Sequence, residues 1–132
     1  MSAPQMVVPA PVVLVVDDEP TLLHMMERIL SQAGYEVHGA SNGLRALELL
    51  AGSPVPPTVL VTDVRMEPVD GPSLARLVLG ASPGTRLLFV SGYPEDPDHP
   101  VPAAPLLRKP FTPEQLLHAV AGVLALEHHT AS

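Results

Sequence analysis

Cysteine and tryptophan are absent from this chain, and aromatic residues make up only 3% of it. Without cysteine there is no disulfide framework, no thiolate nucleophile and no cysteine-based metal site, which is compatible with the cytoplasm. With so few rings, the core has to be built from Val, Leu, Ala and Met, a composition that suits helices packed on a buried sheet. Basic residues are also few: 7 Lys and Arg against 14 Asp and Glu give a formal charge of −7. Duplex affinity comes largely from cations that neutralise phosphates, so no nucleic-acid partner is expected. An acidic surface instead suits solubility and cationic partners. Long hydrophobic runs are missing as well. The longest near the start, "VVPAPVVLVV", is much shorter than a membrane span and carries prolines, and no basic signal-peptide region precedes it. A soluble, unexported, cytoplasmic chain with no membrane partner is predicted.

A chain of 132 residues suits one ordinary domain with a single good core. Residues 1–10 read as a loose leader, 11–127 as the domain, and 128–132, with His128 and His129, as a solvated tail. "PVVLVVDD" is a β-branched run ending in acids, the pattern of a strand buried on both faces whose last residues reach solvent. "PTLLHMMERILSQAG" places Leu22, Leu23, Met26, Ile29, Leu30 and Ala33 at helical spacing, opens on Pro20 and stops at Gly34. "YEVHGA" follows as a strand, "SNGLRALELLAG" as a helix capped near Ser41 or Asn42, and "TVLVTD" as another buried strand. A third helix is predicted over "SLARLVLGA", a fourth strand over "TRLLFVSGY" and a short fifth over "LLRKP". The last helix runs from Thr112 to about Glu127, with Thr112 and Gln115 forming a capping box. This alternation predicts an open, five-stranded parallel sheet covered by helices on both faces.

In such sheets ligands bind outside the carboxyl ends of the strands. Asp17 and Asp18 close the first strand, Asp63 the third, Ser91 the fourth and Lys109 the fifth. Each alone is ordinary, since acids at strand ends are commonly just solvated and a lysine is commonly a surface charge. Together they form a chemistry. Three converging carboxylates raise one another's pKa unless a cation holds them ionised. Oxygen ligands with open positions suit Mg²⁺, which keeps several waters and binds through carboxylates plus a phosphate. Lys109 pairs with a carboxylate at rest and with phosphoryl oxygen later, and Ser91 supplies a hydroxyl donor. One carboxylate can then attack a phosphoryl donor.

"VVDDEP", "TDVRMEPVDG", "FVSGY" and "LRKPF", in this order and spacing, resemble the CheY-like receiver domain of bacterial two-component response regulators, over about residues 12–127. The resemblance implies the flavodoxin-like, doubly wound fold with strand order 2-1-3-4-5 in three α/β/α layers. It implies that Asp63 accepts phosphate from a phosphohistidine on a sensor histidine kinase or a histidine phosphotransfer protein. Mg²⁺ would be bound by Asp18 and Asp63 directly, by Asp17 mainly through water, and by the backbone carbonyl of Arg65. Ser91 is similar to the family's switch hydroxyl, Lys109 to its phosphoryl-binding lysine, and the bond to Pro110 is expected to be cis. Arg65 and Tyr93 sit where receivers tune the lifetime of the phosphoryl bond.

Three departures stand out. Glu67 occupies the usual proline position of the turn, with Pro68 after it and the length unchanged, so Asp63 is expected to stay in place. Leu106 stands where receivers carry an aromatic, which puts the usual coupling of Ser91 to a ring in question. "YPEDPDHPVPAAP", residues 93–105, holds prolines at 94, 97, 100, 102 and 105, where receivers place a fourth helix. Each proline removes an N–H donor and disfavours helix for the residue before it, so an extended or polyproline-like loop is predicted. Such a loop would weaken the dimer that receivers form through the fourth helix, fifth strand and fifth helix; a monomer or weak dimer is expected.

The function expected is a phosphoacceptor module of a two-component phosphorelay, not an enzyme. With no DNA-binding or catalytic output segment in these residues, the message is expected to pass by contact with an unknown protein target or by relaying phosphate. "FVSGY" also resembles receivers of hybrid kinases. A pseudo-receiver that binds partners unphosphorylated is the alternative. An aspartyl-phosphate hydrolase fits less well, because it needs an acid two residues after the nucleophile and Asp63 is followed by Val64 and Arg65. A flavin module would need phosphate-cradling donors where Asp17, Asp18 and Glu19 stand.

Overall fold

The computed structural model describes residues 9–93, 97 and 103–126. Five strands, β1 (Val12–Val16), β2 (Glu36–Ala40), β3 (Val59–Asp63), β4 (Arg86–Ser91) and β5 (Leu106–Arg108), form one parallel sheet in the order β2-β1-β3-β4-β5. Four helices, α1 (Pro20–Gln32), α2 (Gly43–Gly52), α3 (Gly71–Ala81) and α4 (Pro113–Ala125), cover it. The flavodoxin-like order is therefore the observed one.

Side chains alternate across a strand, so each buried strand feeds two layers. Val13, Val15, Val59, Val61, Leu88 and Val90 pack against Leu23, Met26 and Leu30 of α1 and Leu116, Val120 and Val123 of α4. Leu14, Val16, Leu60 and Phe89 point the other way, onto Ala46 of α2 and Leu74, Ala75 and Val78 of α3. Phe89 is the largest side chain among those fully buried. Each such aliphatic or aromatic side chain contributes roughly 1.5–3 kcal/mol by leaving water. Burial on both faces explains why β1 and β3 read as unbroken apolar runs.

The helix boundaries follow local chemistry. Pro20 occupies the first turn of α1, and Gly34, just past its end, has φ +102°, the left-handed conformation that stops helices at glycine. Asn42 caps α2 by accepting from the Arg45 N–H at 2.8 Å. Helix α3 starts two residues earlier than the apolar pattern suggests, at Gly71. Asp70 accepts from the Ser73 N–H at 2.8 Å and Pro72 fills the first turn, so the "DGP" run is itself the start signal. The capping box on α4 is present in both directions, between Thr112 and Gln115. At its far end the Arg86 guanidinium donates to the Leu124 carbonyl, a cation at a helix C-terminus.

Of the segment between β4 and β5, residues 94–96 and 98–102 lie outside the described residues, and with them most of the predicted proline-rich loop; Gly92, Tyr93, Pro97 and 103–105 are not helical. Most of the leader and all of the tail lie outside as well. Replacing Thr112 by Ala removes one half of the capping box, and chemical denaturation is expected to show a loss of about 1 kcal/mol.

Candidate functional site

Parallel register brings the strand ends to one edge. Val16 lies beside Ala40 and Thr62, Asp63 beside Val90, and Ser91 beside Arg108. The ladder continues past the strands: the Asp17 N–H donates to the Ala40 carbonyl at 3.2 Å and the Lys109 N–H to the Ser91 carbonyl at 2.9 Å. Asp17, Asp63, Ser91 and Lys109 are thereby fixed by backbone at the carboxyl edge of the sheet.

Lys109 is the centre of the site. Its Nζ lies 3.1 Å from Asp17 Oδ2 and 3.2 Å from Asp63 Oδ2. The remaining oxygens are held by backbone: Asp17 Oδ1 accepts from the Glu19 N–H and Asp63 Oδ1 from the Val64 N–H, both at 2.8 Å. Asp18 stands exposed beside them, and one oxygen from each of Asp17, Asp18 and Asp63 falls within 4.8 Å of the others. This all-oxygen donor set, two acids buried and one open to water, is compatible with Mg²⁺, a hard cation that keeps part of its water shell.

Asp17 corrects the expectation that the end of the first strand reaches solvent. Its relative exposure is 0%, and only Asp18 turns outward. A buried carboxylate persists because Lys109 and the Glu19 N–H satisfy it. Burial pushes the Asp63 carboxyl above the usual carboxylate range, and Asp17 adds to this, while Lys109 and the Val64 N–H pull it back without cancelling the rise. Burial works against the charge on Lys109 too, yet Asp63 and Asp17 outweigh it and hold the ammonium above its ordinary value. Site and lysine together form one short charge network.

Ser91 is 1% exposed, and its Oγ accepts from the Tyr93 N–H at 2.9 Å. The Arg65 guanidinium lies over the Tyr93 ring, 4.8 Å from its centroid, at the rim. The peptide bond from Lys109 to Pro110 is cis as the resemblance implied; the bond from Glu67 to Pro68 is cis too, which sequence reasoning did not anticipate.

Sequence reasoning also passed over the residues that aim Asp63. The Thr62 hydroxyl donates to the Asp63 carbonyl at 2.9 Å, and the Gly71 N–H donates to the Val64 carbonyl at 2.9 Å. A Cβ on Gly71 would fall 2.1 Å from the Asp63 carbonyl oxygen, so only glycine lets α3 begin against the end of β3. The glycine after Asp70 was the available signal.

Residues 13–121 match the family model described as the response regulator receiver domain. The chain is similar to the sensor kinase CckA of Brucella abortus (strain 2308), 37% identical over 116 residues that cover 85% of this chain and 12% of that protein. It is similar to the response regulator receiver protein CpdR of the same organism, 30% identical over 116 residues that cover 85% of this chain and 95% of that protein. The chain thus spans a small part of the first relative and nearly the whole of the second. Among solved structures, the chemotaxis response regulator CheY4 of Vibrio cholerae superposes with a TM-score of 0.77 at 30% identity, covering 88% of this chain and all of that one (100%). The receiver domain of the hybrid histidine kinase CckA gives 0.72 at 28% identity, covering 86% and 98%. The chain belongs to the response-regulator receiver domain family of two-component systems.

Two outcomes test the site. Gly71→Ala is expected to cost about 1–3 kcal/mol by overpacking, and to displace the Asp63 carbonyl, seen as shifted Asp63 and Val64 amide resonances. For Asp63, a folded-state pKa above the unfolded value means that its proton is bound more tightly in the fold. Its contribution therefore favours the fold as pH falls through that raised pKa, and opposes it once the carboxyl is ionised above. Asp63→Asn should unfold at higher denaturant than the wild type at neutral pH, with the gap closing in acid; a less stable variant at neutral pH would refute this.

Proposed function

We propose that this receiver domain accepts a phosphoryl group on Asp63 from the phosphohistidine of a sensor histidine kinase or histidine phosphotransfer protein. The observation that carries this reading is the placement of Lys109 between Asp17 and Asp63, inside a cluster of three acid oxygens. A lysine so held offers a fixed positive charge at the atom that would carry the new phosphoryl group.

In this reading the Asp63 carboxylate, oriented by the Val64 N–H, attacks phosphorus in line with the departing histidine. A P–O bond forms, the P–N bond breaks, and the imidazole nitrogen keeps the bonding pair and takes up a proton. Lys109 and the Ser91 hydroxyl donate to phosphoryl oxygens, stabilising charge that develops in the transfer. Asp17, Asp18 and Asp63, with the Arg65 carbonyl, would hold Mg²⁺, which supplies further charge stabilisation at the phosphoryl oxygens when bound. The catalytic effort is positioning and electrostatics, which a receiver supplies to its own modification, not to turnover of a substrate.

The named relatives support both settings for such a domain, since one is a sensor kinase and the other a response regulator receiver protein. Its output is proposed to pass by contact with a protein target, from a receiver unit of 11–127 that is a monomer or weak dimer in the cytoplasm. No helix among the described residues is long and apolar enough to cross a membrane.

Incubation with Mg²⁺ and acetyl phosphate should add one phosphoryl mass to the wild type and none to Asp63→Asn, read by intact mass spectrometry. No adduct with acetyl phosphate or with any histidine kinase would sink the reading and leave a binding module. Mg²⁺ alone should raise the unfolding free energy by about 2.7 kcal/mol at a hundredfold excess over its dissociation constant, read from the shifted denaturation midpoint. Asp17→Asn or Asp18→Asn should lose most of that gain.

A further inference from the structure

Two contacts meet in Tyr93. Its backbone N–H donates to Ser91 Oγ at 2.9 Å, and its ring, in a residue 65% exposed, carries the Arg65 guanidinium 4.8 Å from the centroid. Arg65 follows Asp63 by two residues and Tyr93 follows Ser91 by two. The stack therefore ties the loop after β3 to the end of β4 across the rim of the acid site.

The Ser91 backbone does not move easily, because the Lys109 N–H holds its carbonyl to β5 at 2.9 Å. Only the side chain is left to turn, about a single torsion with staggered wells. A change of well swings Oγ by roughly 2 Å, and an N–H···O bond of ordinary length does not survive that. A Ser91 hydroxyl that changes well toward a group on Asp63 therefore leaves the Tyr93 N–H without its acceptor. Leu106, opposite Phe89 in β5, has no polar atom with which to follow it.

We infer that Tyr93 is the residue through which this chain reads the state of Asp63: Ser91 turning to a phosphoryl oxygen takes the acceptor from the Tyr93 N–H and opens the Arg65–Tyr93 stack. The inference rests on the phosphoacceptor reading above. An exposed cation–π contact is weak, so a shift of the Tyr93 backbone is enough to move its ring off the guanidinium. Phosphorylation would thereby convert one stacked pair at the rim into a phenol ring and a guanidinium presented separately, a change in surface that a partner can recognise.

Nuclear magnetic resonance of the full chain reads both contacts. Arg65 side-chain protons over the ring are displaced upfield, and the Tyr93 amide is protected from exchange. With Mg²⁺ and acetyl phosphate, in a sample whose mass shows the phosphoryl group on Asp63, the Arg65 displacement should vanish and Tyr93 amide exchange should rise at least about tenfold. Without any donor, Ser91→Ala should produce the same two changes, while Ser91→Thr, which keeps the hydroxyl, should produce neither. A phosphorylated wild type whose Arg65 and Tyr93 signals stay as they were would overturn the coupling and leave the phosphoacceptor reading standing. So would resting-state signals in Ser91→Ala identical to wild type. Failure of the wild type to take up phosphate would remove the reading and the coupling with it.

Discussion

One ammonium group between two buried carboxylates sets the terms for the rest of this molecule. Lys109 reaches Asp17 and Asp63 at once, at 3.1 and 3.2 Å, and so joins the ends of β1, β3 and β5. Two acids this close and this buried would repel one another without it. Burying charge is expensive, and pairing offsets that cost without making the arrangement an efficient source of stability. Burial, more than the Lys109 charge offsets, holds the Asp63 carboxyl above the usual carboxylate range. A site of this kind exists for what the charges do.

The scaffold has to be stiff enough to keep them there. That stiffness comes from two apolar layers that share the same strands, one with α1 and α4 and the other with α2 and α3. Because the layers alternate along each strand, a slip of one residue would turn the core outward, and register is strongly determined. The same register delivers the strand ends to a common edge. Gly71 then lets α3 start against the Asp63 carbonyl, with its N–H donating to the carbonyl of the next residue, Val64. Packing, register and site are three consequences of one alternation.

Much of this is legible along the chain. The β-branched runs of β1 and β3, the helical spacing of α1, the capping box of α4 and the five strand-end residues all read out of local patterns, because each depends on neighbours a few positions away. Strand order and the family follow from four motifs in register. The start of α3 was misplaced because the apolar pattern begins at Ser73, while Asp70 and Pro72 had already begun the helix. Gly71 and Thr62 went unremarked as supports of Asp63, since nothing about either residue alone shows what lies against it.

What the sequence determined by itself, then, is the list of parts: which segments are strands and helices, which faces are apolar, and which acids, hydroxyl and lysine end up at one edge. Only the tertiary structure decided how those parts share charge and space. Asp17 is buried and Asp18 is not, although they are adjacent acids at the same strand end. Asp17 turns inward to a partner, Lys109, that lies 92 residues away along the chain. The stack of Arg65 on Tyr93 likewise joins separate loops. Local patterns encode conformation because backbone sterics and hydrogen bonding act over a few residues; burial and ion pairing act through space, and are settled only when the chain has closed on itself.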